Sequence, residues 1–145
     1  MRAGLLARPW LIKPNRQEAE ELVGFRLSTA ARVVRAARAL VARGPQLAVV
    51  SMGPEGAVLA CRASGDAWMA HPPAVKTESA VGAGDSLVAG FVVGWLRSRS
   101  LVEALRLGVA CGSATAMTPG TELCHRKDVQ RVLPRVRIAR VSPAG

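Results

Sequence analysis

The stretch SAVGAGDSLVAGF, residues 79–91, combines three glycines, one carboxylate and a long apolar run. Asp85 follows Gly82, Ala83 and Gly84 and precedes residues apolar enough to be buried. Amide groups at a helix start, together with the helix dipole, favour an anion, and glycines let a ligand approach the backbone. A carboxylate beside such a site can accept a proton from a hydroxyl that attacks phosphorus. We therefore expect a buried helix start that binds an anion and carries Asp85 as general base.

A simpler interpretation of the same loop stays open. Asp85 could only cap the helix while the glycines only form a turn, because aspartate is a common residue at helix starts. The loop by itself does not separate these two interpretations.

Two further groups of residues can line a ligand. KPNRQE places Lys13, Asn15 and Glu18 at the end of a strand, the usual ligand edge of an α/β sheet. A helix cap followed by a solvated glutamate explains that group equally well. SMGPEG, residues 51–56, follows a second strand with glycines three apart, which suits a nucleotide lying against the backbone but also a plain hairpin turn. No GxxxxGK[ST] motif is present, so nucleotide binding would need another loop.

The pattern along the chain alternates short strands with helices. We predict strands at residues 10–14, 47–51 and 137–141, with 57–61 as an antiparallel partner of the second. Predicted helices cover residues 16–24, 28–44, 84–97, 100–117 and 127–133, and start or stop at Asn15, Ser28, Gly24, Gly44 and Pro119. Such alternation predicts an α/β fold with a mostly parallel sheet. No internal repeat or linker divides it.

Composition excludes several classes of protein. At 145 residues and 50% hydrophobic, the chain is long enough for one domain with a core. The net charge of +10 comes from scattered arginines without a nucleic-acid motif, so we expect no nucleic-acid partner. No segment reaches the length of a membrane span and no signal peptide is recognisable, so we expect a cytoplasmic protein. The three cysteines and two histidines match no metal spacing, and we expect Cys111 to be a core residue.

Taken together, these motifs resemble the PfkB family of carbohydrate kinases, in the ribokinase-like superfamily. VGAGDSLVAGF is similar to the second family signature, KPN with Glu18 to its Asn-x-x-Glu motif, and SMGPEG to its nucleotide-contacting turn. ATAMTPGTELC and WLIKPN resemble the branch that contains 1-phosphofructokinase and tagatose-6-phosphate kinase. Ala80 departs from the family, which usually has threonine there, and this puts one local hydrogen bond in doubt.

The resemblance implies a role for each matching residue. Asp85 would be the base that deprotonates the sugar hydroxyl, and the three residues before it would form the anion hole. Asn15 and Glu18 would organise Mg²⁺ and the phosphates, in part through water. The ATP site would be lined by Lys13, Asn15, Ser51, Met52, Gly53, Pro54, Glu55, Gly56 and Gly84.

The resemblance also implies an incomplete kinase. Family members are about twice as long, and their first half supplies the sugar-binding residues and the lid. We therefore expect residues 1–145 to be a single partial domain, the nucleotide-binding and catalytic-base half of a ribokinase-like kinase. Its reaction would be ATP-dependent phosphorylation of a sugar phosphate, fructose 1-phosphate giving the bisphosphate, with a complementary N-terminal half or a second copy as partner. The alternative is a non-catalytic remnant that binds nucleotide or a partner chain.

Overall fold

The computed structural model describes Gly4 and residues 7–142, and these fall into two compact units. The first unit contains the described residues up to Met52, Ala57–Met69 and the residues from Ala139 onward. The second contains Gly53–Gly56 and Ala70–Ile138. Each unit has its own packing and is described separately.

A five-stranded sheet runs in the order β1-β2-β3-β4-β5. Its strands are β1 (Leu11–Ile12), β2 (Leu47–Ser51), β3 (Ala57–Cys61), β4 (Ala67–His71) and β5 (Arg137–Val141). β1 is parallel to β2, whereas β3 is antiparallel to β2. The link between β2 and β3, residues 52–56, is far shorter than the dozen or so residues that a parallel crossover needs. The parallel part of the prediction thus holds for β1 and β2, and the predicted antiparallel partner is confirmed.

Two capped helices belong to the first unit. α1 (Arg16–Val23) begins after Asn15 and ends at Gly24, as predicted. α2 (Ala30–Ala42) begins after Thr29, whose hydroxyl accepts a hydrogen bond from the Arg32 amide at 3.3 Å. The prediction of a start at Ser28 is therefore wrong by one cap position, because the next hydroxyl residue satisfies the free amide instead.

Small and branched apolar side chains from these helices pack on the strands. The core of the first unit joins Leu22 of α1, Val33 and Leu40 of α2, and Val50 and Val58 of the sheet. β2 and β3 are buried along nearly their whole length. Continuous burial explains why both strands are apolar runs rather than alternating patterns.

Three helices belong to the second unit: α3 (Ala83–Ser98), α4 (Leu101–Ala116) and α5 (Arg126–Val132). α3 and α4 approach closely at glycines. A β-carbon on Gly94 would lie 2.8 Å from the Cα of Ala104, and one on Gly108 would lie 2.8 Å from the carbonyl oxygen of Leu87. The glycines of this helix pair are therefore needed for packing, because any side chain would push the helices apart.

The predicted fold class is confirmed as a sheet flanked by helices, with one strand that the sequence did not indicate. β4, AWMAH, has alanines at two of its five positions and no β-branched residue, so neither β-branched enrichment nor clear alternation marks it as a strand. Of the helices that the structure describes, none combines the length and apolarity required to cross a membrane.

Candidate active site

The glycine-rich loop forms the start of α3. Gly82 is the N-cap residue and adopts the left-handed conformation, with φ 77° and ψ −8°. A β-carbon there would only make ordinary contacts, 3.6 Å from Leu123 Cδ2 and 3.8 Å from Thr115 Cγ2. The backbone angle, more than crowding, therefore requires glycine at this position.

Free amides gather at this helix start. The amides of Gly82, Gly84 and Asp85 donate no hydrogen bond to any part of the chain that the structure describes, while the Ala83 amide reaches the Ala80 carbonyl at 3.3 Å. Unpaired N–H groups and the positive end of the helix dipole together favour an anion. The geometry thus provides three donors for an anion, and Ala83 contributes to the turn.

Asp85 is the third residue of α3 and its side chain is exposed. The expectation of a buried carboxylate is wrong. α3 buries the face that carries Leu87 and Phe91, and Asp85 begins the opposite stripe, which continues through Ala89 and Val93. A carboxylate on that stripe remains in contact with solvent.

The simple capping interpretation of Asp85 finds no support in its contacts. No side chain makes a capping hydrogen bond at the start of α3, and Asp85 forms no ion pair with the described residues. By contrast, Ser100 caps α4 with its hydroxyl, which accepts from the Glu103 amide at 3.3 Å. The carboxylate of Asp85 is therefore available to a ligand.

The C-terminal end of α4 makes hydrogen bonds to residues on both sides of the glycine-rich loop. The buried hydroxyl of Thr115 donates to the Ser86 hydroxyl at 2.7 Å, one residue after Asp85. The Ala116 carbonyl accepts from the amides of Glu78 at 2.8 Å and Ser79 at 3.3 Å. One helix end therefore holds both sides of the loop.

These supporting residues were not predicted from the sequence. A polar Thr115 inside an apolar helix was the available signal, since a buried hydroxyl needs a partner. Beside Ala80, the Ser79 hydroxyl accepts a hydrogen bond from the Val81 amide at 3.2 Å.

In the first unit, the ends of β1 and β2 bring a second group of predicted residues together. Lys13 Nζ donates to Ser51 Oγ at 3.4 Å, and Asn15 pairs with Ser51 in a parallel bridge. The Ser51 amide also donates to the Pro14 carbonyl at 3.1 Å. A lysine and two polar side chains thus share the carboxyl edge of two parallel strands, the edge where α/β folds bind ligands.

Asn15 and Glu18 form a capping box at the start of α1. The Glu18 amide donates to Asn15 Oδ1 at 2.9 Å, and the Asn15 amide donates to Glu18 Oε2 at 2.8 Å. The cap that the sequence allowed is therefore present. Each carboxylate oxygen has two lone pairs, so Glu18 keeps acceptor capacity for a hydrated cation.

This donor set fits Mg²⁺ only in a limited way. No group of three or more His, Cys, Asp or Glu side chains suited to a metal occurs within the described residues. Mg²⁺ commonly retains several waters and binds one or two carboxylates together with substrate phosphates. A single capped glutamate is compatible with that mode and not with a cage of protein ligands.

The turn after β2 uses its two glycines differently. Gly53 opens a short 3₁₀ turn, Gly53–Glu55, is exposed, and would meet nothing within 4 Å if it carried a β-carbon. Gly56 has φ 102°, and a β-carbon there would lie 1.9 Å from the Ala70 carbonyl oxygen. Gly56 is therefore required by the chain itself, while Gly53 and its neighbours Pro54 and Glu55 present an open surface. Met52 is buried.

The predicted site residues thus form three groups. Those near Lys13 and Ser51 lie in the first unit, while the turn at Gly53–Gly56 and the loop at Asp85 lie in the second. Convergence of these groups on one ligand stays a prediction.

A sheet flanked by helices, with unpaired amides and an exposed carboxylate at one helix start, is typical of α/β proteins that can accept an anion there. Comparison with known protein families assigns the chain to one particular family. The model of the pfkB family of carbohydrate kinases matches residues 2–128, and the chain belongs to this family. The resemblance found in the motifs is confirmed.

Individual relatives support the same assignment. The 1-phosphofructokinase of Escherichia coli K12 is 41% identical over 134 residues, which cover 92% of this chain and 42% of that protein. The ATP-dependent 6-phosphofructokinase isozyme 2 of Mycobacterium tuberculosis H37Rv is 42% identical, over 84% of this chain and 36% of its own length. The crystal structure of phosphofructokinase-2 from Escherichia coli in complex with substrates and products has a TM-score of 0.83 and 38% identity, covering 92% of this chain and 43% of that chain. The chain thus spans less than half the length of each.

Proposed function

We propose that this chain supplies the catalytic base and the phosphate-binding loop of an ATP-dependent sugar-phosphate kinase. The observation that carries the proposal is the start of α3. There, within the described part of the chain, the exposed side chain of Asp85 makes no capping hydrogen bond, and the backbone amides of Gly82, Gly84 and Asp85 itself are unpaired. Relatives named 1-phosphofructokinase support fructose 1-phosphate as the acceptor and fructose 1,6-bisphosphate as the product.

Asp85 would accept the proton of the attacking sugar hydroxyl. The amides of Gly82, Gly84 and Asp85 would hold the negative charge of the transferred phosphoryl group in line with that hydroxyl. Phosphoryl transfer depends mainly on such positioning and charge stabilisation. Ala83 takes part through the turn that orients these amides.

The nucleotide would lie against the other two groups of predicted residues, the turn after β2 and the residues near Lys13. The exposed turn at Gly53, Pro54 and Glu55 offers open backbone, and Lys13 offers a cation for phosphate. Asn15 and Glu18 would hold hydrated Mg²⁺, which neutralises phosphate charge when bound. This arrangement requires the two units to act as one partial domain, which is part of the proposal.

The acceptor sugar requires further protein in this proposal. The matched relatives are more than twice as long as the region that this chain covers. We propose that the sugar is held by that additional region, joined to this chain or contributed by a partner subunit.

Binding of Mg-ATP to the folded chain tests the proposal. Ligand at about 100 times its dissociation constant stabilises a protein by about 2.7 kcal/mol, so the melting temperature should rise with Mg-ATP concentration. Adenosine at the same concentration, with the same Mg²⁺ in the buffer, is the control, because it lacks the phosphates that the α3 amides would bind. A melting temperature unchanged by millimolar Mg-ATP, or raised equally by adenosine, would rule out phosphate binding at this loop.

A further inference from the structure

One face of α3 is apolar and yet exposed to solvent. Residues 87–96, LVAGFVVGWL, are all apolar or glycine, and a helix that is apolar all round is normally covered on every side. In the structure, however, Leu96 is 60% exposed, Val93 is 39% exposed and Ala89 is also exposed. Spacings of four and three residues put these side chains on one face of the helix, which we call the α3 stripe.

The opposite face of α3 already has its partner. A β-carbon on Gly90 would lie 2.8 Å from Cys111 Sγ, and one on Gly94 would lie 2.8 Å from the Cα of Ala104, so α4 occupies this face. Cys111 is only partly buried there, so the expectation of a core cysteine is met in part. Since α4 packs on the far side of the helix, the α3 stripe is left uncovered by the part of the chain that the structure describes.

Other helices of the chain carry charged residues at their exposed positions. α2 has Arg32 and Arg35 there, and α5 has Arg126, Lys127 and Arg131. Single exposed apolar residues are common on soluble proteins, whereas a contiguous apolar row is typical of an interaction surface. The α3 stripe therefore has the character of a surface that another part of a protein covers.

Two observations indicate what covers the α3 stripe. The chain covers only 42% of the Escherichia coli 1-phosphofructokinase, so more than half of that relative has no counterpart in these 145 residues. The stripe also continues directly from Asp85, which lies one helical turn before Ala89 on the same face. A polypeptide that packs on the stripe therefore lies beside the carboxylate, where an acceptor sugar would have to be held.

We propose that the α3 stripe is the docking surface for the acceptor-binding region of the kinase, the part of its relatives that this chain does not cover. The docked surface is apolar where it meets Ala89, Val93 and Leu96, and it carries the groups that hold the sugar phosphate next to Asp85. The identity of the occupant rests on the proposed function, whereas covering the stripe requires neither nucleotide nor turnover.

Footprinting of side chains with hydroxyl radicals tests whether the stripe is covered. The chain alone is compared with its fusion to the unmatched part of the Escherichia coli 1-phosphofructokinase, both without nucleotide. Oxidation of Val93 and Leu96 should fall severalfold in the fusion, while Leu123, which is 64% exposed and lies outside the stripe, stays reactive. Equal oxidation of the stripe in both proteins, including in a fusion that does not fold, would overturn the proposal. Equal protection of Leu123 would also overturn it.

Leu96→Glu tests the same surface by substitution. In the chain alone this residue is exposed, so the melting temperature should change little. In the fusion the carboxylate would be buried without a partner, so we expect the melting temperature to fall by about 4 °C or more. Leu123→Glu is the matched control, because it adds the same charge at a leucine of similar exposure, and it should change neither protein much. A Leu96→Glu effect of equal size in the chain and the fusion would contradict docking at the stripe.

Two further measurements separate the proposal from its alternatives. Sedimentation shows whether the chain alone self-associates, and a dimer that Leu96→Glu dissociates would assign the stripe to a second copy and overturn the proposal. The Mg-ATP melting experiment is independent of the stripe. Mg-ATP binding with an unprotected stripe would overturn the docking surface and leave the proposed function intact. A protected stripe without Mg-ATP binding would support docking and contradict the nucleotide-binding role.

Discussion

At the scale of single residues, a substitution at Asp85 tests whether its carboxylate acts in phosphoryl transfer or only stabilises the helix. Asp85→Asn keeps the size of the side chain but removes the proton acceptor, so nucleotide binding should persist while phosphoryl transfer falls. General bases contribute about 10²–10⁴-fold to rate, and a loss in that range is expected. The measurement is sugar-dependent ADP release in an assembly that turns over sugar phosphate.

Glu103→Gln is the matched control for that substitution. Glu103 is an exposed carboxylate in the first turn of α4, as Asp85 is in the first turn of α3. Both changes remove a favourable charge at a helix start, at a cost of about 0.3–1 kcal/mol each. Turnover of the Asp85 variant within about threefold of the parent, like that of the control, would make Asp85 a surface charge and not a base.

The two glycines of the turn after β2 provide a second residue-scale prediction. Gly53 and Gly56 both have positive φ, so alanine strains the backbone at either position. Only Gly56→Ala also drives a β-carbon into the Ala70 carbonyl. We expect Gly56→Ala to lower the free energy of unfolding by at least about 2 kcal/mol more than Gly53→Ala. Equal denaturant midpoints for the two variants would contradict the close backbone approach.

At the scale of elements, the sequence predicted whatever depended on local chemistry. The cap at Asn15 follows from a side chain that accepts from the Glu18 amide, and the stop at Gly24 follows from a residue that adopts the left-handed conformation; the structure has both. β4 was missed because its strand state depends on pairing in the sheet and not on its own residues.

In the candidate site, too, local features were predictable from the sequence, whereas features that depend on packing between elements were not. The glycines and carboxylate at the start of α3 form a contiguous motif, so their helix position was predictable from the sequence. Exposure of Asp85 was not, because it depends on which face of α3 packs against α4. The bond between Thr115 and Ser86 was missed for the same reason, since these residues are far apart in sequence and meet only after the helices pack.

The contact between α3 and α4 gives the element-scale prediction. Gly94→Ala would gain about 1 kcal/mol from helix propensity alone. The added carbon, however, would lie 2.8 Å from the Cα of Ala104. Overpacking costs about 1–3 kcal/mol, so we expect a lower melting temperature. Ala89→Gly, at an exposed position of the same helix, measures the propensity contribution without packing. A Gly94→Ala variant more stable than the parent would show that the helices separate easily at this point.

At the scale of the whole molecule, we predict that this chain alone does not phosphorylate sugar phosphates. Fast in-line transfer requires the acceptor hydroxyl to be held next to the phosphoryl group, and loss of that positioning can remove about 7–11 kcal/mol of barrier lowering. The described residues at the start of α3 provide unpaired amides and a carboxylate but no second cluster of side chains for a sugar phosphate. Bound ATP should at best hydrolyse slowly, because water is not excluded from an exposed Asp85.

A coupled ADP-release assay on the purified, folded chain tests this with fructose 1-phosphate, tagatose 6-phosphate and fructose 6-phosphate. Sugar should leave the slow ADP release unchanged, even where Mg-ATP raises the melting temperature. Fusion of this chain to the unmatched part of the Escherichia coli 1-phosphofructokinase is the positive control, because it adds the region that the chain does not cover. Activity of the fusion would favour a kinase part over a non-catalytic nucleotide-binding remnant. Sugar-dependent release by the chain alone at ordinary kinase rates, about 1–100 per second, would show that the 145 residues already hold both substrates.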